Sequence, residues 1–104
     1  MDVNMLPYAL LTRYILPVMM ERKARGGIII TSSVGIEMSC SPVNAIYMAT
    51  KAFNDSFARG LAYEVEKKID VLSLKPAFVA TNMTKKEKGL DTIGPLDCAS
   101  SALN

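Results

Sequence analysis

The chain predicts an α/β fold in which two parallel strands alternate with long helices, and three observations carry that prediction. Apolar residues recur at helical spacing over two long segments, one before residue 25 and one after residue 45. Between them stands Ile28-Ile29-Ile30-Thr31, and after the second comes Asp70-Val71-Leu72-Ser73-Leu74. Both runs are short, rich in apolar residues, and bounded by glycine, serine or proline, which is how a strand buried in a parallel sheet reads.

The first helix is expected from Val3 to about Arg25, with Leu6, Leu10, Tyr14 and Val18 in one row and Pro17 kinking or shortening it. Gly26-Gly27 is expected to stop it as a C-terminal cap. The β-branched run Ile28 to Thr31 then forms the first strand, and a loop from Ser32 to about Asn44 contains Pro42. A second helix follows from about Ala45 to Lys68. Along it Ala49, Phe53, Phe57, Leu61 and Val65 make an apolar stripe, with Lys51, Asp55, Arg59, Glu64 and Lys68 off it. Residues 70–74 form the second strand, closed by Lys75-Pro76. Strand, helix and strand make one right-handed crossover unit. A last helix is expected to start with Asp97 as its N-cap.

Composition narrows the function classes. With half of its 104 residues hydrophobic and 21 % charged, the chain suits one small folded unit and is not disordered in character. A net charge of +2 gives no strong pull towards nucleic acid or anionic membranes, and Lys85-Lys86-Glu87-Lys88 reads as a solvated loop. The two cysteines, Cys40 and Cys98, show no pairing pattern and no histidine is present. That leaves no expected metal site, no imidazole catalysis, and free thiols suited to a reducing, intracellular compartment. The apolar stretch from Met5 to Met20 is too short to span a bilayer and contains Pro7, Arg13 and Pro17.

In parallel sheets, ligands bind beyond the carboxyl ends of the strands. Ser33 directly follows the first strand, and Pro76 to Thr81 follow the second, so both segments project to one edge. Tyr47 and Lys51 are four residues apart at the start of the intervening helix. That spacing puts them on one helix face, where the ammonium favours ionisation of a phenol whose ordinary pKa is about 10. A tyrosine so placed can act as an acid or base near neutral pH, with the Ser33 hydroxyl holding a substrate oxygen beside it. Tyr63 and Lys67 have the same separation but only helix before them, and read as a solvated face.

These residues resemble the short-chain dehydrogenase/reductase family along nearly the whole chain. The likeness runs through Asp2-Val3-Asn4, Leu16-Pro17-Val18-Met19, Gly27-Ile28-Ile29-Ile30-Thr31-Ser32-Ser33, Tyr47-Met48-Ala49-Thr50-Lys51-Ala52-Phe53 and Pro76-Ala77-Phe78-Val79-Ala80-Thr81-Asn82-Met83. The resemblance implies part of a Rossmann-like, doubly wound parallel sheet, here a helix-strand-helix-strand fragment. It implies Tyr47 as acid/base, Lys51 on the ribose of NADP or NAD, Ser33 on the substrate carbonyl, and Asn4 in a water-linked proton relay. Pro76, Val79 and Thr81 would meet the nicotinamide. The look of the chain around Tyr47 and after Thr81 is nearest the branch of 17-beta-hydroxysteroid dehydrogenases and very-long-chain 3-oxoacyl-CoA reductases. That branch implies NADPH, a lipid-like, steroid-like or acyl-CoA-like carbonyl substrate, the endoplasmic reticulum or otherwise the cytoplasm, and a homodimer through the two long helices.

Three departures qualify the likeness. Ser33 to Tyr47 is one residue longer than the family's usual interval, Ala77 stands where glycine is common, and no glycine-rich strand-to-helix turn is present. Residues 1–104 are therefore expected to be the C-terminal catalytic part of such a domain, without its dinucleotide-binding half. The competing reading is a non-catalytic module able only to dimerise.

Overall fold

Strand β1, Gly26–Thr31, pairs in parallel with β2, Ile69–Leu74, setting Gly26 opposite Ile69 and Thr31 opposite Leu74. The crossover between them is helix α2, Ala45–Glu64, which packs on both strands. The α/β class and the strand-helix-strand unit are thus those expected. The molecule is seen in a computed structural model that describes residues 3–38, 44–65, 68–82, 84–85, 87, 89 and 92–104. Cys40, Pro42, Lys67, Lys86 and Lys88 lie outside the described residues.

The sheet-facing side of α2 changes character along its length. Its second half lays Ala58 and Leu61, with Val65 just beyond, against Ile30 and Ile69, and these five form the buried apolar core. Its first half buries Thr50, Asn54 and Asp55 instead. The expected stripe holds in its second part, where Leu61 and Val65 are buried and Phe57 packs against the core, and is corrected in its first: Asp55 is inside, Ala49 is exposed and Phe53 is half-buried. The reason is that the carboxyl ends of the strands present carbonyls and Ser73, which polar side chains satisfy. Asn54 Nδ2 donates to the Thr31 carbonyl at 3.1 Å, and Ser73 Oγ donates to Asp55 Oδ1 at 2.7 Å. Phe53 and Phe57 stack with ring centroids 5.8 Å apart.

Helix α1 spans Leu6–Glu21, shorter at both ends than expected, and continues through Pro17. Pro7 stands in its first turn, where a missing N–H costs nothing. The glycine stop is also corrected. The chain leaves the helix at Arg22 in extended geometry, and Gly26-Gly27 are claimed by pairing with Ile69 and Asp70. Tyr8, Leu16, Met19 and Met20 turn towards the core. The row expected to be one apolar face, Leu6, Leu10, Tyr14 and Val18, points outward with exposures of 50, 43, 75 and 54 %.

Two short strands were not anticipated: β3, Phe78–Val79, and β4, Thr92–Ile93, which pair in parallel. At two residues each they are too short to give a period. Helix α3, Pro95–Leu103, begins after Gly94, so Asp97 is not its N-cap. The fixed φ of Pro95 favours the first helical position and starts the helix three residues early, leaving Asp97 in the first turn, where its charge complements the helix dipole. Among the described residues no helix is long and apolar enough to cross a membrane, and no cluster of metal-ligating side chains occurs.

Candidate active site

The two strands deliver their carboxyl ends side by side, and backbone hydrogen bonds extend the pairing past them. Ser32 N–H donates to the Leu74 carbonyl at 2.7 Å, and Val34 N–H donates to the Pro76 carbonyl at 3.2 Å. Ser33 and the segment after Pro76 are thereby fixed next to each other. Helix α2 starts over the same edge because a crossover helix runs back antiparallel to the strand it leaves. The result is one cavity lined by Thr31, Ser32, Ser33, Tyr47, Lys51, Pro76, Ala77, Val79, Thr81 and Thr84. Six of the seven residues singled out in the sequence line it; Asn4 does not.

Ser33 caps the 3-10 turn Val34–Glu37, its Oγ accepting the Gly35 N–H at 3.2 Å. That bond occupies a lone pair and leaves the hydroxyl hydrogen to donate elsewhere. Ser32 is buried and spends its hydroxyl on the Lys51 carbonyl at 2.7 Å, tying α2 to the strand end. Of the two serines, only Ser33 keeps a hydroxyl hydrogen for a ligand.

Tyr47 and Lys51 share a helix face, as their spacing requires. Lys51 Nζ stands over the Tyr47 ring, 5.6 Å from its centroid, and donates to the Thr31 carbonyl at 3.2 Å. The contact is to the ring face rather than to the phenol oxygen alone, within the range where a cation and an aromatic quadrupole attract. Partial burial pushes Lys51 below the ordinary lysine range. The same Thr31 carbonyl also receives Asn54, whose Oδ1 is buried and has no partner among the described residues.

Asn4 lies in the turn before α1, and its Nδ2 donates to Thr50 Oγ1 at 3.3 Å. Thr50, itself buried, donates to the Tyr47 carbonyl at 2.7 Å. Asn4 thus reaches the candidate site through the backbone that carries Tyr47. Tyr63 is 81 % exposed, as a solvated helix face should be.

Thr84 is the lining residue that the sequence reading missed. Its Oγ1 donates to the Val79 carbonyl at 2.6 Å and accepts the Thr81 N–H at 3.1 Å, which ties Thr84 to both residues beside the cavity. The available signal was the pair Thr81 and Thr84, three apart in a non-helical segment, a spacing at which hydroxyls close local turns.

A family model described as short chain dehydrogenase matches residues 1–90. The chain is 42 % identical to very-long-chain 3-oxoacyl-CoA reductase-A of Danio rerio over 99 % of its length, and 38 % identical to the very-long-chain 3-oxoacyl-CoA reductase of Homo sapiens over 98 %. It is 43 % identical to a Homo sapiens protein named inactive hydroxysteroid dehydrogenase-like protein 1, over 80 % of its length. It covers 32, 33 and 25 % of those three proteins, so it spans about a third or less of each. The match runs through the strand ends, the start of α2 and the segment after Pro76 that build the cavity, and the chain belongs to the short-chain dehydrogenase/reductase family.

Proposed function

We propose that these residues form the substrate-side half of an NAD(P)-dependent oxidoreductase that reduces a ketone, or in reverse oxidises a secondary alcohol, on a lipid-like, steroid-like or acyl-CoA-like substrate. A 3-oxoacyl thioester with a long acyl chain, and NADPH as the partner, are the favoured pair, given the names of the relatives. One observation supports the reading most: Ser33 after β1, Tyr47 and Lys51 on α2, and Pro76, Val79 and Thr81 after β2, three different segments, line one cavity.

The donor set fits the nicotinamide and its ribose. The lining offers the hydroxyls of Thr31, Ser33 and Thr81 and the Lys51 ammonium, groups that bind hydroxyls and a carboxamide. Lys51 and Tyr47 would take the ribose side, and Pro76, Val79 and Thr81 the carboxamide side. No glycine-rich phosphate cradle occurs among the described residues, so the fit covers that end of the cofactor alone. When bound, the reduced nicotinamide supplies hydride to the carbonyl carbon. Ser33 donates to the carbonyl oxygen and orients it. Tyr47 gives its phenolic proton to the same oxygen as the C–H bond forms, so the product is an alcohol and the phenolate recovers a proton from solvent. The Lys51 charge over the ring stabilises the phenolate meanwhile.

A full-length protein that joins these residues to a dinucleotide-binding half, incubated with NADPH and a long-chain 3-oxoacyl-CoA, is expected to oxidise one NADPH per 3-hydroxyacyl-CoA formed, followed by absorbance and by mass spectrometry of the product. No turnover of any ketone in the lipid, steroid and acyl-CoA classes would leave the non-catalytic reading in its place. That reading draws on the relative whose name calls it inactive, and it requires that titration with NADPH give no saturable change in nicotinamide fluorescence.

The outward row of α1, with Leu11 and Ile15 beside it, suits a second copy of the chain, and we read it as a homodimer surface. Sedimentation velocity is expected to give a dimer, and Tyr14→Glu a monomer. A monomeric parent chain would refute the assignment.

A further inference from the structure

Behind the cavity a chain of ionic hydrogen bonds joins the three segments that build it. Asp55 lies on α2 one turn beyond Lys51, with its side chain only 6 % exposed. Its carboxylate accepts from Ser73 of β2 at 2.7 Å and is 3.1 Å from Arg59 Nη2 and 3.4 Å from Lys75 Nζ. Lys75 Nζ also donates to Glu37 Oε1 at 2.9 Å. Glu37 ends the 3-10 turn that begins directly after Ser33.

We propose that Asp55, Lys75 and Glu37 are positioning residues that fix the orientation of the 3-10 turn and, through it, the direction in which Ser33 presents its hydroxyl. Among the described residues the turn is also held by the bond from Val34 N–H to the Pro76 carbonyl at its start and by packing against α2, where Met48 lies beside Gly35. Packing and a bond at the start of the four-residue turn leave its far end without a directional hold, which the Lys75 to Glu37 bond supplies. An exposed ion pair alone contributes little, because it must order two long side chains, and the Glu37 side chain is 59 % exposed. Here the Lys75 ammonium is already localised by buried Asp55, so only Glu37 is ordered by the last link. Hydrogen bonding to Glu37 foremost, helped by the charges of Asp55 and Glu37, holds Lys75 above the ordinary lysine range against its own desolvation.

The consequence for turnover rests on the reading of Ser33 given above; the tether itself does not. In the full chain, Glu37→Gln strips the outer link of its charge and so weakens it without touching the buried carboxylate, Lys75→Met removes both links, and Lys75→Arg keeps them. Hydrogen exchange by mass spectrometry is expected to show amides of residues 34–38 exchanging about two- to five-fold faster in Glu37→Gln and Lys75→Met, unchanged in Lys75→Arg, with β1 and β2 unaffected. In the same two variants kcat is expected to fall about ten-fold with the KM for nicotinamide cofactor unchanged, a misaligned hydroxyl being costly in the chemical step. Unchanged exchange in the turn, or equal acceleration across β1 and β2, would overturn the tether. A loosened turn with unchanged kcat would overturn the coupling to Ser33. Turnover that survives Tyr47→Phe while the turn still loosens would count against the functional reading and leave the tether standing.

Discussion

Tyr47→Phe lowers kcat by about three orders of magnitude and leaves KM within about three-fold, the signature of a group needed in the transition state and not for binding. The substitution removes one oxygen and keeps the ring. Because the Lys51 contact is made to the ring face and the side chain is 37 % exposed, phenylalanine retains the packing, and thermal stability stays unchanged. Tyr63→Phe, with the same spacing to a lysine but an exposed side chain, leaves kcat unaltered and serves as the control. A Tyr47→Phe variant with near-normal kcat would sink the role given to the phenol.

The pH profile supplies an independent check. In the mechanism proposed for this site Lys51 acts as a cation beside the phenolate, and its folded value lies below the ordinary lysine range because burial disfavours the cation. The rate contribution of the ammonium is therefore present below that lowered value and lost as pH rises through it, earlier than an ordinary lysine near 10.4 would allow. Lys51→Arg, which stays charged, extends the alkaline limb upward even where its absolute rate is lower. An alkaline limb at the same pH in both proteins would show that another group sets it.

How much of this was legible in the sequence depended on periodicity. The strand-helix-strand unit and the convergence of Ser33 with Pro76 to Thr81 followed from two β-branched or apolar runs flanking one long helix. The Tyr47 and Lys51 pair followed from a spacing of four residues, which geometry enforces. What failed were features that composition does not encode. The first half of the buried face of α2 was misassigned because Ala49 and Phe53 score as apolar, whereas the neighbours of that half of the helix are carbonyls and a serine. Asp55 looked like a solvated charge until Ser73 and Lys75 were brought to it by β2, 18 and 20 residues away in sequence. The β3 and β4 pair, and the turn closed by Thr84, depend on contacts too short or too local to leave a repeating signal. Asn4 entered as a relay residue through the resemblance alone, and in the structure its partner is Thr50 rather than the cavity.

Asp55→Asn lowers stability by about 2 kcal/mol at pH 7, the scale of a buried hydrogen bond to a charged group, and lowers the thermal midpoint by on the order of 10 °C. The cost stays below that of breaking a fully buried pair, because the Arg59 side chain is 70 % exposed and Lys75 31 %, and both can turn to water. The effect is pH-dependent with a defined sign. The Ser73 hydroxyl first, then the charges of Arg59 and Lys75, hold the Asp55 carboxyl below the usual carboxylate range despite its burial. Stability contributed by the ionised form is therefore fully present above the unfolded value near 3.9 and is lost as pH falls through the lower folded value. Thermal melts of the parent chain and Asp55→Asn are expected to differ most above the unfolded carboxylate value and to converge as pH falls through the lower folded one. Ser73→Ala removes the largest of the favourable contacts, raises the Asp55 carboxyl, and moves that convergence to higher pH. A gap between parent and Asp55→Asn that stays constant from pH 7 to pH 3 would mean that the loss arises from packing, and that Asp55 is not the anchor from which Lys75 reaches Glu37.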